Sequence, residues 1–264
     1  MERIGDLLLE HAPAAGPRKP YPLLFVHGMN GGAWYLRPWL YAAAQAGWDS
    51  WALNLRGHHG SRPVPELGRV SVAEYIEDVE DCLRHFGAAV LIGHSMGGLI
   101  AQKAAESGRV RAAVFATSAT PRGIRVVTWS LLMSLPHYAL PVLRSREFLP
   151  RREDALYFLG NRLSPELQTW AYAQLVPESG RAARQLALGA IKVHPESIRC
   201  PTLVVGAEED RITPAAVQRK IAARYGSRYL EAPAHAHMLM LEDGWELVFK
   251  EILNWLDEVT KPSP

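Results

Sequence analysis

The sequence predicts an α/β fold: a mostly parallel central sheet with helices on both faces, and a helical segment inserted late in the chain. Three observations predict it. Short, wholly apolar runs alternate with amphipathic stretches of helical length. A Gly-x-Ser-x-Gly segment, Gly93-His94-Ser95-Met96-Gly97, falls at the junction between one such run and one such stretch. From about Ala119 to Arg199 the alternation stops, leaving helical stretches, prolines and large apolar side chains but no convincing strand.

With 264 residues, 48% hydrophobic and 21% charged, the chain is long enough for one large domain with a sizeable core. A formal charge of +2, with no basic stripe interleaved with aromatics, gives no footprint for nucleic acid. Cys82 and Cys200 lack close spacing and read as buried thiols rather than a disulfide or zinc framework. Met1 to Pro20 lacks a charged-then-apolar leader, and no apolar run reaches membrane-spanning length. A cytoplasmic chain without stable membrane insertion is therefore expected, and oligomeric state leaves no mark in the sequence.

The elements follow in order. After a Pro/Gly/Ala-rich lead-in (Ala12 to Pro22), Leu23-Leu24-Phe25-Val26 reads as a fully buried strand ending in the glycine-punctuated loop His27 to Gly32. A helix from Trp39 to Ala46 stops at Gly47, and a strand follows around Ser50 to Leu55. Ser71 with Glu74 three residues on has the form of a capping box, opening a helix to about Phe86. Ala88 to Ile92 is the strand before the serine segment, Gly98 to Ala105 the helix after it, and Ala112 to Ala116 the next strand. Beyond the irregular stretch come a strand at Thr202 to Val205, a helix from Pro214 to Tyr225, a strand near Tyr229-Leu230 and a final helix from about Trp245 to Leu256.

A strand–turn–helix around a serine lifts the hydroxyl onto a strained elbow, with the free N–H groups of the helix start pointing at the same place. A hydroxyl is a weak nucleophile at neutral pH and needs a base, which in turn needs an orienting carboxylate. In open α/β sheets such groups gather on loops at the carboxyl ends of the strands. Two later loops supply them: Asp210 follows the Thr202–Val205 strand and His237 follows the last strand. His235 competes as base, but the spacing to Met238 and Glu242 favours His237. Glu208 and Glu209 crowd Asp210, but the Arg211-Ile212-Thr213-Pro214 run favours Asp210, which also fits a helix cap.

These segments together resemble the α/β-hydrolase-fold superfamily, over essentially the whole length apart from 119–199. Leu24 to Met29 resembles its His-Gly oxyanion loop, and Arg56-Gly57-His58-His59-Gly60-Ser61 its Arg-Gly-His-Gly-x-Ser turn. Gly93–Gly97 resembles the nucleophile motif, Asp210 to Pro214 the acid motif, and Ala236-His237-Met238 the Gly-His region, with Ala236 where the family often has Gly. The resemblance implies Ser95 as nucleophile, His237 as general base and then acid, and Asp210 as its orienter. It implies an oxyanion hole from the backbone N–H groups of Met29 and Met96, a core of 1–118 and 200–264, and a helical lid over 119–199.

His27 and Gly28 read as structural, His58 and His59 as turn residues, and the arginines of the lid as solvent-facing. His235 and His237 lack further ligands for a metal. The aromatics of 119–199 are mostly core, with Trp129, Met133, Tyr138 and Trp170 as candidates for lining a substrate site. The expected activity is hydrolysis of a carboxylic ester of a hydrophobic acyl or aryl small molecule through an acyl-serine, with no metal or organic cofactor. Amidase, thioesterase and carbon–carbon bond hydrolase chemistry use the same groups. A non-catalytic binding or receptor protein of the same fold is the alternative of a different class.

Overall fold

A computed structural model of the chain describes residues 1–126 and 129–261, with the side chains of 129–135 left aside. An antiparallel hairpin opens the chain, β1 (Glu2–Ile4) turning at Gly5 into β2 (Leu7–Ala12). The sequence reading missed this pair: β1 has only three residues, and Glu10 and His11 interrupt the apolar run of β2. The parallel sheet begins with β3 (Leu23–Val26), followed by α1 (Arg37–Gln45), β4 (Ser50–Asn54), α2 (Val72–Phe86), β5 (Ala89–His94), α3 (Met96–Ala104) and β6 (Val110–Ala116). It resumes with β9 (Thr202–Ala207), α8 (Ala215–Tyr225), β10 (Arg228–Ala232) and α9 (Trp245–Val259).

Between β6 and β9 run α4 (Trp129–Leu143), β7 (Glu147–Phe148), α5 (Arg152–Phe158), α6 (Pro165–Ala173), β8 (Glu178–Ser179) and α7 (Gly180–Ala187). The stretch is not free of strands: β7 and β8 pair antiparallel, each only two residues long.

The eight-stranded sheet has the order β1-β2-β4-β3-β5-β6-β9-β10, parallel from β4 onward. Every residue of β3 is buried, because both faces of the sheet are covered. Phe25 packs on one face with Trp39 of α1 and Phe249 of α9. Leu24 and Val26, alternating with it, pack on the other with Tyr75 of α2, Ile100 of α3 and Ile221 of α8. The capping box at α2 forms as expected: Glu74 N–H donates to the Ser71 hydroxyl, and Ser71 N–H to the Glu74 carboxylate.

The chain leaves β3 toward β4 on one side and places β5 on the other. That reversal opens a crevice at the carboxyl ends of β3 and β5, the place where open α/β sheets hold their ligands. Among the described residues no helix is long and apolar enough to cross a membrane.

Candidate active site

Ser95 stands immediately beyond β5 with φ 55° and ψ −120°. A non-glycine residue there is strained by about 1–3 kcal/mol and persists only where its surroundings fix it. They do: Ser95 N–H donates to Ala116 O at 3.0 Å, and its carbonyl accepts from Gly98 and Ala119, each at 2.9 Å. Two glycines permit the arrangement. A Cβ on Gly97 would lie 2.2 Å from Val26 O, so only glycine lets α3 start against the end of β3. A Cβ on Gly28 would lie 2.8 Å from Ser95 Cβ and 3.3 Å from its Oγ, which sets the loop after β3 directly beside the half-buried hydroxyl. Met29 follows on that loop, and Met96 is the first residue of α3. Among the described residues neither amide is taken up by a hydrogen bond.

The loop after β9 carries Asp210, 5% exposed. Its Oδ1 accepts from Ile212 N–H at 2.8 Å and Thr213 N–H at 2.9 Å; its Oδ2 accepts from the Thr213 hydroxyl at 2.8 Å and faces His237 Nδ1 at 2.9 Å. Burial alone would raise this carboxyl's pKa, but His237 and the Thr213 bonds outweigh it and hold Asp210 below its ordinary value. A carboxylate only accepts, so His237 Nδ1 carries the proton and Nε2 is the basic nitrogen. Among the described residues the Ser95 hydroxyl is not hydrogen-bonded to that imidazole; in unliganded enzymes such contacts are often long and tighten on the substrate.

His237 is locked from behind. Glu242 accepts from the amides on either side of it, Ala236 at 2.6 Å and Met238 at 3.0 Å. Its own carbonyl accepts from His94 Nε2 at 2.8 Å and from the Thr117 hydroxyl at 3.3 Å. His94 must therefore hold its hydrogen on Nε2, and its Nδ1 accepts from the Tyr35 hydroxyl at 2.9 Å. Tyr35 in turn accepts from Gly28 N–H. Burial and the neighbouring His237 push the His94 imidazole down to about 3, so it stays neutral. The residue before Ser95 thus joins the loop after β3 to the loop of His237 (their rings are 4.8 Å apart).

The competing residues point elsewhere. His235 Nδ1 meets Pro233 O at 2.7 Å and not Asp210. Glu208 accepts from Ala234 N–H, and Glu209 pairs with Arg162 at 3.5 Å. His27 is structural: Nδ1 donates to Gly28 O at 2.7 Å, Nε2 accepts from Leu55 N–H at 3.0 Å, and burial lowers its pKa to about 3. The sequence reading missed Tyr35 and Thr117, and it had Thr213 and Glu242 only as spacing markers for Asp210 and His237, not as their hydrogen-bond partners.

Beside Met238 lies a mostly apolar pocket of about 20 Å³, lined by Trp34, Leu156 and Leu159 of the β6–β9 segment, Leu163, Tyr172 and Leu175, with Gln168 among the rest. Trp170, 42% exposed, is not among the lining residues and only stands with its ring edge-on to Trp34 at 5.1 Å. Tyr138 is not among the lining residues; its hydroxyl donates to Asp154 at 2.5 Å and accepts from Arg151 N–H at 3.0 Å. The side chains of Trp129 and Met133 lie outside those described. Cys82 is buried and Cys200 half-buried, and both are free thiols. Among the described residues no three His, Cys, Asp or Glu side chains stand together as metal ligands.

The fold resembles several solved structures. An esterase from Thermogutta terrifontis superposes with a TM-score of 0.74 at 21% identity, covering 97% of this chain and 94% of that one. A lipase-esterase related protein from Clostridium acetobutylicum gives 0.73 at 19%, covering 95% and 99%. A monoacylglycerol lipase from Paleococcus ferrophilus gives 0.73 at 18%, covering 96% and 98%. At these identities they establish the fold alone. No curated protein matches the sequence. The model of the Alpha/beta hydrolase family matches residues 23–251, and with the elbow, crevice and strand order described above the chain belongs to that family.

Proposed function

We propose that the chain is a serine hydrolase cleaving carboxylic esters through an acyl-Ser95 intermediate. The observation that carries this reading is the buried 2.9 Å pairing of His237 with Asp210 on the rim that also holds the Ser95 elbow. In this mechanism His237 Nε2 takes the Ser95 proton as Oγ attacks the ester carbonyl. The oxyanion meets the free N–H groups of Met29 and Met96, each worth about two to three orders of magnitude in rate. His237 then returns the proton to the leaving alcohol, and water repeats the sequence to release the acid. Asp210 holds the imidazole's tautomer and stabilises its cation. No metal or organic cofactor enters these steps.

Residues 119–199 act as a lid on a core of 1–118 and 200–264, and the apolar pocket beside Met238 takes a hydrophobic acyl or aryl group. At about 20 Å³ it holds roughly one water, so a substrate enters only as α5 and α6 part from Trp34. The esterase and lipase relatives lend support to an ester over an amide. The free thiols of Cys82 and Cys200 suit a cytoplasmic setting.

A panel of p-nitrophenyl esters from acetate to dodecanoate, with matching anilides and thioesters, tests the reading. Ester turnover should dominate, and acid-quenched samples should show an acyl mass on the Ser95 peptide. Turnover of only the anilides or thioesters would replace the ester assignment. Saturable ligand binding without turnover would favour the receptor reading.

A further inference from the structure

Glu178, on β8, has no exposed side-chain surface, yet it touches three distant parts of the chain. Its Oε1 accepts from the Tyr75 hydroxyl at 2.5 Å and Ser179 N–H at 2.7 Å. Its Oε2 faces His58 Nε2 at 3.2 Å and accepts from Asn30 N–H at 3.2 Å. His58 is equally buried, and its Nδ1 meets the carbonyl of Arg56 at 2.9 Å. With Glu178 ionised, both imidazole nitrogens face acceptors, an arrangement that favours a hydrogen on each. Burial opposes both charges, but their mutual attraction raises His58 and, with the Tyr75 and Ser179 bonds, lowers Glu178. Asp78 adds to the raising of His58, while the His27 ring, 5.1 Å away, stays neutral.

Asn30 is the residue after Met29. It sits at φ 58°, and its side-chain NH2 and its carbonyl are also engaged by the segment between β6 and β9. Its Nδ2 donates to Phe148 O at 3.2 Å and Val176 O at 3.0 Å, and its carbonyl accepts from Val176 N–H at 3.0 Å. The residue directly after Met29 is thus held in place partly by residues 148–178.

We propose that Glu178 is a positioning residue for the oxyanion hole, holding the Asn30 amide so that Met29 N–H faces the reacting carbonyl only while the β7–β8 region is seated on the core. The inference rests on the acyl-Ser95 reading. Its nearest competitor is an anchor that serves stability alone.

Glu178→Gln keeps the shape and removes the charge. Assayed well below its Tm with p-nitrophenyl butyrate, it should lose about 10- to 100-fold in kcat with KM changed less than about threefold. Amide hydrogen exchange over 27–32 should quicken. Ile252→Ala, a truncation of a buried α9 side chain that takes no part in the proposed chemistry, controls for lost stability and should keep kcat within about threefold. A Glu178→Gln kcat within that range, or a loss matched by Ile252→Ala, overturns the proposal. Should Glu178→Gln not fold, the wild type carries the test: exchange over 27–32 and 176–182 must accelerate together with denaturant, and independent opening overturns it. A wild type that neither turns over nor labels at Ser95 sinks the hydrolase reading on which the proposal stands, whereas linked exchange beside a normal Glu178→Gln kcat sinks the proposal alone.

Discussion

Asp210→Asn probes the site with the least change in shape. The oxygen that accepts from Ile212 and Thr213 amides can remain an oxygen, and the atom facing His237 becomes an NH2 donor. To accept from it, His237 must move its hydrogen from Nδ1 to Nε2, the nitrogen that has to receive the Ser95 proton. The Thr213 hydroxyl can adapt, donating to Thr117 O at 3.0 Å and accepting from the new amide. The fold therefore loses one charge-assisted bond, about 1.5–3 kcal/mol. The wrong tautomer removes general-base catalysis and the partner of the imidazolium together. That loss is on the order of 10⁴ in kcat, as in other triads, or about 5.4 kcal/mol of barrier. Steady-state hydrolysis of p-nitrophenyl butyrate, with a melting curve for each variant, measures both quantities. A folded variant retaining a tenth or more of wild-type kcat would refute the reasoning, since the carboxylate would then be no more than a loop cap.

Further outcomes follow from the same contacts. Ser95→Ala should abolish turnover without unfolding, and Ser95→Gly should melt higher than Ser95→Ala, because glycine relieves a φ of 55° at a gain of about 1 kcal/mol; equal melting points would mean the elbow stores no strain. Glu242→Gln keeps one acceptor for two amides, so kcat should fall about tenfold with KM steady, and an unchanged kcat would show that His237 needs no clamp. His58 has a raised pKa, so its charge stabilises the fold fully below about pH 6.5 and the gain is lost as pH climbs through the folded value. The Tm advantage of wild type over His58→Gln should therefore shrink as pH rises above about 6.5, and an advantage that grows would contradict a charged His58.

The residues that declare local structure were legible. Four apolar residues at Leu23–Val26, bounded by prolines and glycines, read as a strand covered on both sides, and Ser71 with Glu74 announces the start of α2 through two bonds made within one turn. Gly93, Ser95 and Gly97 mark the elbow because the constraint is local: a helix must begin where a strand ends. What escaped depends on pairs distant in sequence. Glu178 lies 148 residues from Asn30 and 120 from His58, in a stretch without periodicity, so nothing local marks it as a buried anion. His58 reads as a turn residue until that partner is placed on it. Tyr35 looks like any core aromatic until its hydroxyl meets His94, 59 residues on. The proposed acid and base stand out by their loops, and the choice of His237 over His235 rests on spacing; in the structure it is His237, not His235, that meets Asp210.

The central claim is that the Ser95 hydroxyl is activated by His237. Incubation with a fluorophosphonate, followed by peptide mass spectrometry, tests it most directly. The account predicts a single phosphonylated residue, Ser95, in the wild type, and no adduct on the same timescale in a folded His237→Ala variant. An unlabelled Ser95 in the wild type, or labelling that proceeds equally well without the imidazole, would contradict it.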